Sequence, residues 1–187
     1  MEKSIIAERA TMLVREKGYH KVKIGEIAND LGISHATIYK YYKDKKALLR
    51  SVALNKLNED DKSLRKIVDY SKDSNNLYHY LWMLAHIQRD FYLFDSNLFE
   101  LSKDFYEHDL IFRNRENIVW RTNLVDLLRD SMCVNKEELN ITADTILNAF
   151  SVFYIPYFFL QWGTDYYQAN FDSLYNLVIK NSDLKVA

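Results

Sequence analysis

The sequence predicts an all-α protein: an N-terminal three-helix helix-turn-helix head joined to a larger helical bundle. Three observations predict it. Only four glycines and one proline punctuate 187 residues, too few for the turns that many short strands need. Apolar side chains recur at three- and four-residue intervals along most of the chain, the period of a helix with one buried face. Two of the glycines, Gly18 and Gly32, fall where short helices in the first fifty residues must stop.

The elements follow in order. From Ser4 to Lys17, Ile6, Ala10, Leu13 and Val14 form one stripe, and Gly18 stands at the stop position. A basic link, His20 to Lys23, leads to Ile24, Ile27, Ala28 and Leu31, and Gly32 ends that second helix. Ser34 offers an N-cap for a third, Ser34 to about Tyr41, with Ile38 and Tyr42 facing inward. Asp44 can cap a fourth through Leu48, Leu49, Val52 and Leu57. Residues 58–76 are strongly polar and read either as a continuation of that helix or as a loop. Helical patterns then run over about 77–93, 96–106, 109–132, 136–162 and 166–181. The division expected is a head over residues 1–50 and a bundle over 51–187.

Composition excludes several classes. A single cysteine, Cys133, rules out an intramolecular disulfide framework and paired thiolate zinc cages. That suits a reducing cytoplasm, and the charged first twenty residues do not read as a secretory leader. No metal site and no cofactor is expected. Residues 145–164 carry no charged side chain, a length able to cross a bilayer. Asn148, Ser151, Pro156 and Gln161 interrupt the run and its flanks are acidic, so a buried bundle helix is expected rather than a membrane span. Enzyme signals are poor: there is no glycine-rich phosphate loop, and neighbouring Glu107, His108 and Asp109 point apart on a helix, so they read as a solvated helix start.

Charge is divided unevenly. Residues 1–50 hold 11 Lys and Arg against 6 Asp and Glu, and the remainder holds 14 against 20. A basic head on an acidic body suits an electrostatic grip on phosphates. A helix-turn-helix (about residues 24–43) needs a small residue where its helices cross, a turn residue tolerant of positive φ and apolar pins for the second helix. Ala28, Gly32, Ile33 and Ile38 supply them in that order. The outward face of the second helix then carries His35, Ala36, Thr37, Lys40 and Tyr41, suited to base edges in a major groove. Lys43, Lys45 and Lys46 follow, suited to flanking phosphates.

The run IGEIANDLGISHATIYKYYKDKKALL resembles the DNA-binding signature of the TetR/AcrR-type transcriptional regulators. Ile27, Ala28, Gly32, Ile33, Ser34, Thr37, Ile38, Tyr39, Lys45 and Leu48 stand at the family's positions, and the match covers about Ile5 to Leu49. The resemblance implies that Ser34, His35, Ala36 and Thr37 meet bases or adjacent phosphates. It implies backbone contacts for Tyr39, Lys40 and Tyr41, with Lys43 and Lys45 on phosphate. Two positions depart from the pattern. Lys23 replaces a helix-capping Thr; lysine cannot accept the capping bond, although its ammonium can reach a phosphate. Tyr42 replaces the usual Phe, tolerable if its hydroxyl reaches water.

The body holds 23 of the 27 aromatic residues. Ile146, Phe150, Phe153, Tyr154, Tyr157 and Phe158 repeat at helical spacing, as do Leu174, Tyr175, Leu177 and Val178. By the resemblance, about 138–162 and 166–181 pair with their copies in a homodimer, with a kink at Pro156. An unidentified small-molecule effector is expected among the middle helices. Candidate lining residues are Tyr78, Trp82, His86 and Arg89 on one helix, with Asn117 and Trp120 on another; the same stripe also reads as one packed face. The expected function is a ligand-responsive repressor that binds double-stranded DNA at a palindromic operator. Its rivals are a protein-binding coregulator whose head does not read DNA, and a small helical enzyme fused to such a head.

Overall fold

The computed structural model describes residues 3–70, 76–129, 135–155 and 166–180. Among the described residues the chain is helical throughout, with no strand. In order, the helices are α1 (Lys3–Lys17), α2 (Ile24–Asp30), α3 (His35–Tyr41), α4 (Lys45–Tyr70), α5 (Asn76–Phe94), α6 (Ser96–His108), α7 (Leu110–Arg129), α8 (Lys136–Phe150) and α9 (Tyr167–Tyr175). A 3-10 turn, Ser151–Phe153, follows α8, and a π turn, Asn176–Lys180, follows α9. Packing groups the chain into two compact units: Met1–Glu59 with Phe91–Asn114, and Asp60–Asp90 with Arg115–Ala187. Their boundaries do not follow the division at residue 50.

In the first unit Gly18 and Gly32 adopt φ of +80° and +64°, the left-handed values that favour glycine, so each ends its helix where the pattern required. The core is built from the predicted stripes: Ile6, Ala10, Leu13 and Val14 of α1, Ile27 and Ala28 of α2, Ile38 of α3, and Leu48 and Val52 of α4 are all buried. α6 joins this core through Leu98, Phe99, Leu101 and Phe105. Polar ties hold α1 to the start of α6: Arg15 Nε donates to Asp95 at 2.7 Å, and Asn97 Nδ2 donates to the Arg15 carbonyl at 2.9 Å.

Asp109 corrects an expectation. It is buried, not a solvated helix start. Its Oδ1 accepts from the backbone N–H of Ile111 and of Phe112, each at 3.1 Å, and so caps α7. Its Oδ2 accepts from Arg50 Nε at 2.9 Å. Burial alone would raise the carboxyl's pKa, but the Phe112 N–H and the Arg50 guanidinium outweigh it and hold the group below the ordinary carboxylate range.

In the second unit α4 continues as helix through the polar stretch to Tyr70. Leu57, Asp60 and Leu64 keep a thin buried stripe at helical spacing, enough to hold the period. Asn123 of α7, fully buried, donates from Nδ2 to Asp61 at 2.8 Å. A capping box starts α8: the Asn135 side chain accepts from the N–H groups of Glu137 and Glu138, and Glu138 reaches back to the Asn135 N–H.

Many of the described aromatic rings of the body go into the second unit's own core. Ile146, Phe150, Phe153 and Tyr154 are buried there, as are Tyr167, Phe171 and Tyr175. Phe171 packs edge-on against Trp82, Phe150 and Phe153 at centroid distances of 4.7, 5.2 and 5.1 Å. An intrachain core therefore accounts for rings that the sequence had counted toward a dimer interface. The α form of α8 also ends at Phe150, short of 162, and the Ser151 carbonyl accepts from Tyr154 and Ile155 in the turn that follows. Pro156, Tyr157, Phe158 and Cys133 lie outside the described residues. No helix among the described residues is long and apolar enough to cross a membrane.

Candidate nucleic-acid interface

The interface is built on α2, the turn and α3. The turn closes by backbone bonds: Gly32 N–H to Asn29 at 3.1 Å and Ile33 N–H to Ala28 at 2.9 Å. Ser34 then caps α3, its Oγ accepting from the Thr37 N–H at 3.1 Å and lying 3.0 Å from Thr37 Oγ1. That cap is worth about 1 kcal/mol. It also fixes Thr37 by two bonds to one neighbour. Ile38 is buried and pins the helix, so the opposite face is left to His35, Ala36, Tyr39 and Lys40, all exposed. Tyr39 presents half its surface to solvent, a large exposure for an aromatic ring held on a short helix.

The electrostatics favour an anion. Residues 31–43 contain no carboxylate. The nearby acids are committed: Asp30 to Arg9 at 2.6 Å, Glu26 to Lys17, and Asp44 as cap of α4 through the Ala47 N–H at 2.7 Å. Lys21, Lys23, Lys40, Lys43 and Lys46 are exposed and make no ion pair among the described residues. Exposed cations on one compact head, with the acids beside α3 paired or capping, form a field suited to phosphate.

Lys23 follows the expectation, and Lys45 and Tyr42 differ from it in detail. Lys23 is the N-cap of α2 and makes no side-chain cap bond, as its lack of an acceptor requires. Lys45 is only half exposed, and its Nζ donates to the His20 carbonyl at 3.3 Å. Burial lowers its pKa. Here Lys45 ties the link before α2 to the start of α4. Tyr42 is buried, and its hydroxyl donates to the Lys3 carbonyl at 3.1 Å rather than reaching water.

Gly25 is a position that sequence reasoning missed. A Cβ there would lie 3.0 Å from His35 Nε2. The bare backbone of α2 leaves room for the His35 ring at the start of α3. The signal was available, a glycine one residue into a helix where it costs up to about 1 kcal/mol relative to alanine.

Residues 6–52 match the model of the family described as bacterial regulatory proteins, tetR family. The chain carries a TetR-type regulator head. A fatty acid metabolism regulator protein of Bacillus subtilis (strain 168) is 33% identical over 54 residues, 29% of this chain and 28% of that protein. The chain thus matches little more than a quarter of that relative's length. Over nearly all of the chain the fold resembles that of solved regulators. A transcriptional regulator FadR from Bacillus subtilis, solved with stearoyl-CoA, superposes with a TM-score of 0.62 at 16% identity, covering 97% of this chain and all of that one. The fatty acid degradation regulator FadR from Bacillus halodurans gives 0.62 at 18%, covering 97% and 96%. A putative TetR-family regulator from Mesorhizobium loti gives 0.63 at 15%, covering 95% and 93%.

Outside the TetR-type head, the predicted effector residues lie on α5 and α7. Tyr78, Trp82, His86 and Arg89 form a ladder facing α9: Trp82 stacks near Tyr78 at 6.3 Å and on His86 at 4.0 Å, and Arg89 lies 5.1 Å over the Tyr167 ring. His86 Nδ1 is 3.0 Å from the Trp82 carbonyl. Trp120 is buried against Tyr154 at 5.1 Å, and Asn117 is exposed. Among the described residues the stripe packs against α9.

Proposed function

We propose that this protein is a ligand-responsive transcriptional repressor that binds a palindromic operator as a homodimer. The observation that carries the proposal is the α3 face: capped by Ser34, free of carboxylates and outwardly exposed within a TetR-type head. His35, Ala36 and Thr37 would approach bases, Tyr39, Lys40 and Tyr41 the backbone or one base, and Lys23 and Lys43 phosphates. Lys45 would contribute by holding the link that presents Lys23, and by reaching phosphate only if it lets go of His20. The dimer would form through the helices of about 138–162 and 166–181, where Ile141, Tyr166 and Leu177 are exposed. Half-sites would then lie about 34–36 Å apart or a multiple of that.

The effector would act from the body (51–187) by binding two arrangements of the dimer unequally. Its proposed class is a long-chain fatty acyl thioester, carried over from the ligand of the Bacillus subtilis structural neighbour. The aromatic, apolar second unit is compatible with such a chain. The test is fluorescence anisotropy with a palindrome from upstream of the protein's own gene. Binding should be sequence-selective, should weaken steeply with salt, and should be relieved by an acyl-CoA series. Binding that ignores sequence and salt would overturn the DNA reading, while tight binding untouched by every acyl-CoA would overturn only the effector class.

A further inference from the structure

The second unit carries an open cleft of about 380 Å³ between α5 and the α9 to π-turn segment, lined by Tyr78, His79, Asp172, Tyr175, Asn176 and Lys180. That volume lies within the range of small-molecule sites, about 300–1,000 Å³. Its walls are rings: Tyr78 and Tyr175 meet edge to face at 5.0 Å, and His79 stands edge-on to Tyr78 at 5.9 Å. Between them lies a polar pair. Asp172 Oδ1 accepts from the Tyr78 hydroxyl at 2.6 Å, which positions the carboxylate and leaves acceptor capacity on Oδ2. The Asn176 side chain is exposed and makes no hydrogen bond among the described residues. At the mouth, Lys180 is exposed and without an ion pair among the described residues. Asn176 and Lys180 are the two ends of the π turn, a widened helix turn that recurs at functional sites.

We infer that this cleft binds an adenine nucleotide, with the purine against Tyr78 and Tyr175, its amino edge on Asn176 and Asp172, and its phosphate on Lys180 and His79. An asparagine amide matches adenine's N6 donor and N7 acceptor bidentately. The free Asp172 oxygen accepts a second proton of the amino group. Guanine presents O6 in place of that donor, so on this edge it would set one acceptor against the Asp172 carboxylate. The lysine supplies the point charge a phosphate needs. The inference goes beyond the effector reading, since it names the ligand of one cleft whether or not that ligand moves the head.

The test is calorimetric titration of the full chain, without DNA, using adenosine monophosphate, guanosine monophosphate, adenosine and inorganic phosphate. Saturable binding of adenosine monophosphate with a Kd below about 1 mM is expected, with the guanine nucleotide weaker by about tenfold or more. Lys180→Ala should weaken the nucleotide about tenfold and leave adenosine unchanged. Asn176→Asp should weaken both. Both side chains are exposed in the single chain, and because both lie in the segment proposed for the dimer, sedimentation velocity and Tm of each variant should match the parent's. No saturable binding below about 1 mM, equal binding of the two nucleotides, or variants that bind as the parent does would each overturn the inference.

Discussion

Two lysines five residues apart show how differently one charge can be used. Lys40 is exposed on α3, whereas Lys45 is half buried and bound to the His20 carbonyl. Lys40→Ala should weaken operator binding and reduce the slope of log affinity against log salt by about one. Lys45→Ala should change that slope less and lower stability by about 0.5–1.5 kcal/mol, read as a fall in Tm. Gly25→Ala should hold or raise the Tm, because alanine favours helix, while lowering operator affinity by displacing the His35 ring it would crowd. Asp109 bears on pH. Its folded pKa lies below the ordinary value, so its contribution is complete above the unfolded carboxylate pKa of about 3.9 and fades as pH falls through the folded value. Asp109→Asn should cost about 1.5–3 kcal/mol near neutrality. Thermal melts should show the gap between variant and parent closing below about pH 4.

At the scale of the element, α3 depends on its cap. Seven residues are too few to be stable as an isolated helix. Ser34 and the buried Ile38 hold it in place, one by satisfying an N–H and one by docking. Ser34→Ala should therefore lose about 0.5–2 kcal/mol in denaturant unfolding, and should reduce operator affinity beyond the loss of one contact because Thr37 is no longer fixed. Both the cap and the pin were legible in the sequence, since each follows from residue type and spacing within one turn. The end of α8 was not. Periodic apolar residues continue to Phe158, but α-helical geometry stops at Phe150. In an α-helix a proline at 156 would leave the carbonyl four residues earlier without its N–H and would crowd it, so an unbroken α-helix through that position is disfavoured. A hydrophobic stripe records which residues face a core, not whether the backbone stays α-helical while they do.

At the scale of the whole molecule, the fate of the aromatics separates core from interface. Phe171 is fully buried within the second unit, whereas Leu177 and Ile141 remain more than half exposed. If the proposed dimer uses the latter, Leu177→Lys and Ile141→Glu should shift the protein toward monomer in sedimentation velocity and weaken operator binding, with the circular dichroism unchanged. Phe171→Ala should instead destabilise the fold by about 3–5 kcal/mol. By itself the sequence determined the all-α class, the two glycine stops, the capped recognition helix and the TetR-type head, because these rest on contacts within a few residues of one another. Only the tertiary structure decided that Asp109 is a buried cap paired with Arg50, that Lys45 holds a carbonyl, that Asn123 meets Asp61 and that rings such as Phe150, Phe153 and Phe171 fill the second unit's core. Those polar pairs join residues from 25 to 62 positions apart, Lys45 with His20 at one extreme and Asn123 with Asp61 at the other. Helical period places each such residue on a face, and only packing determines what that face meets.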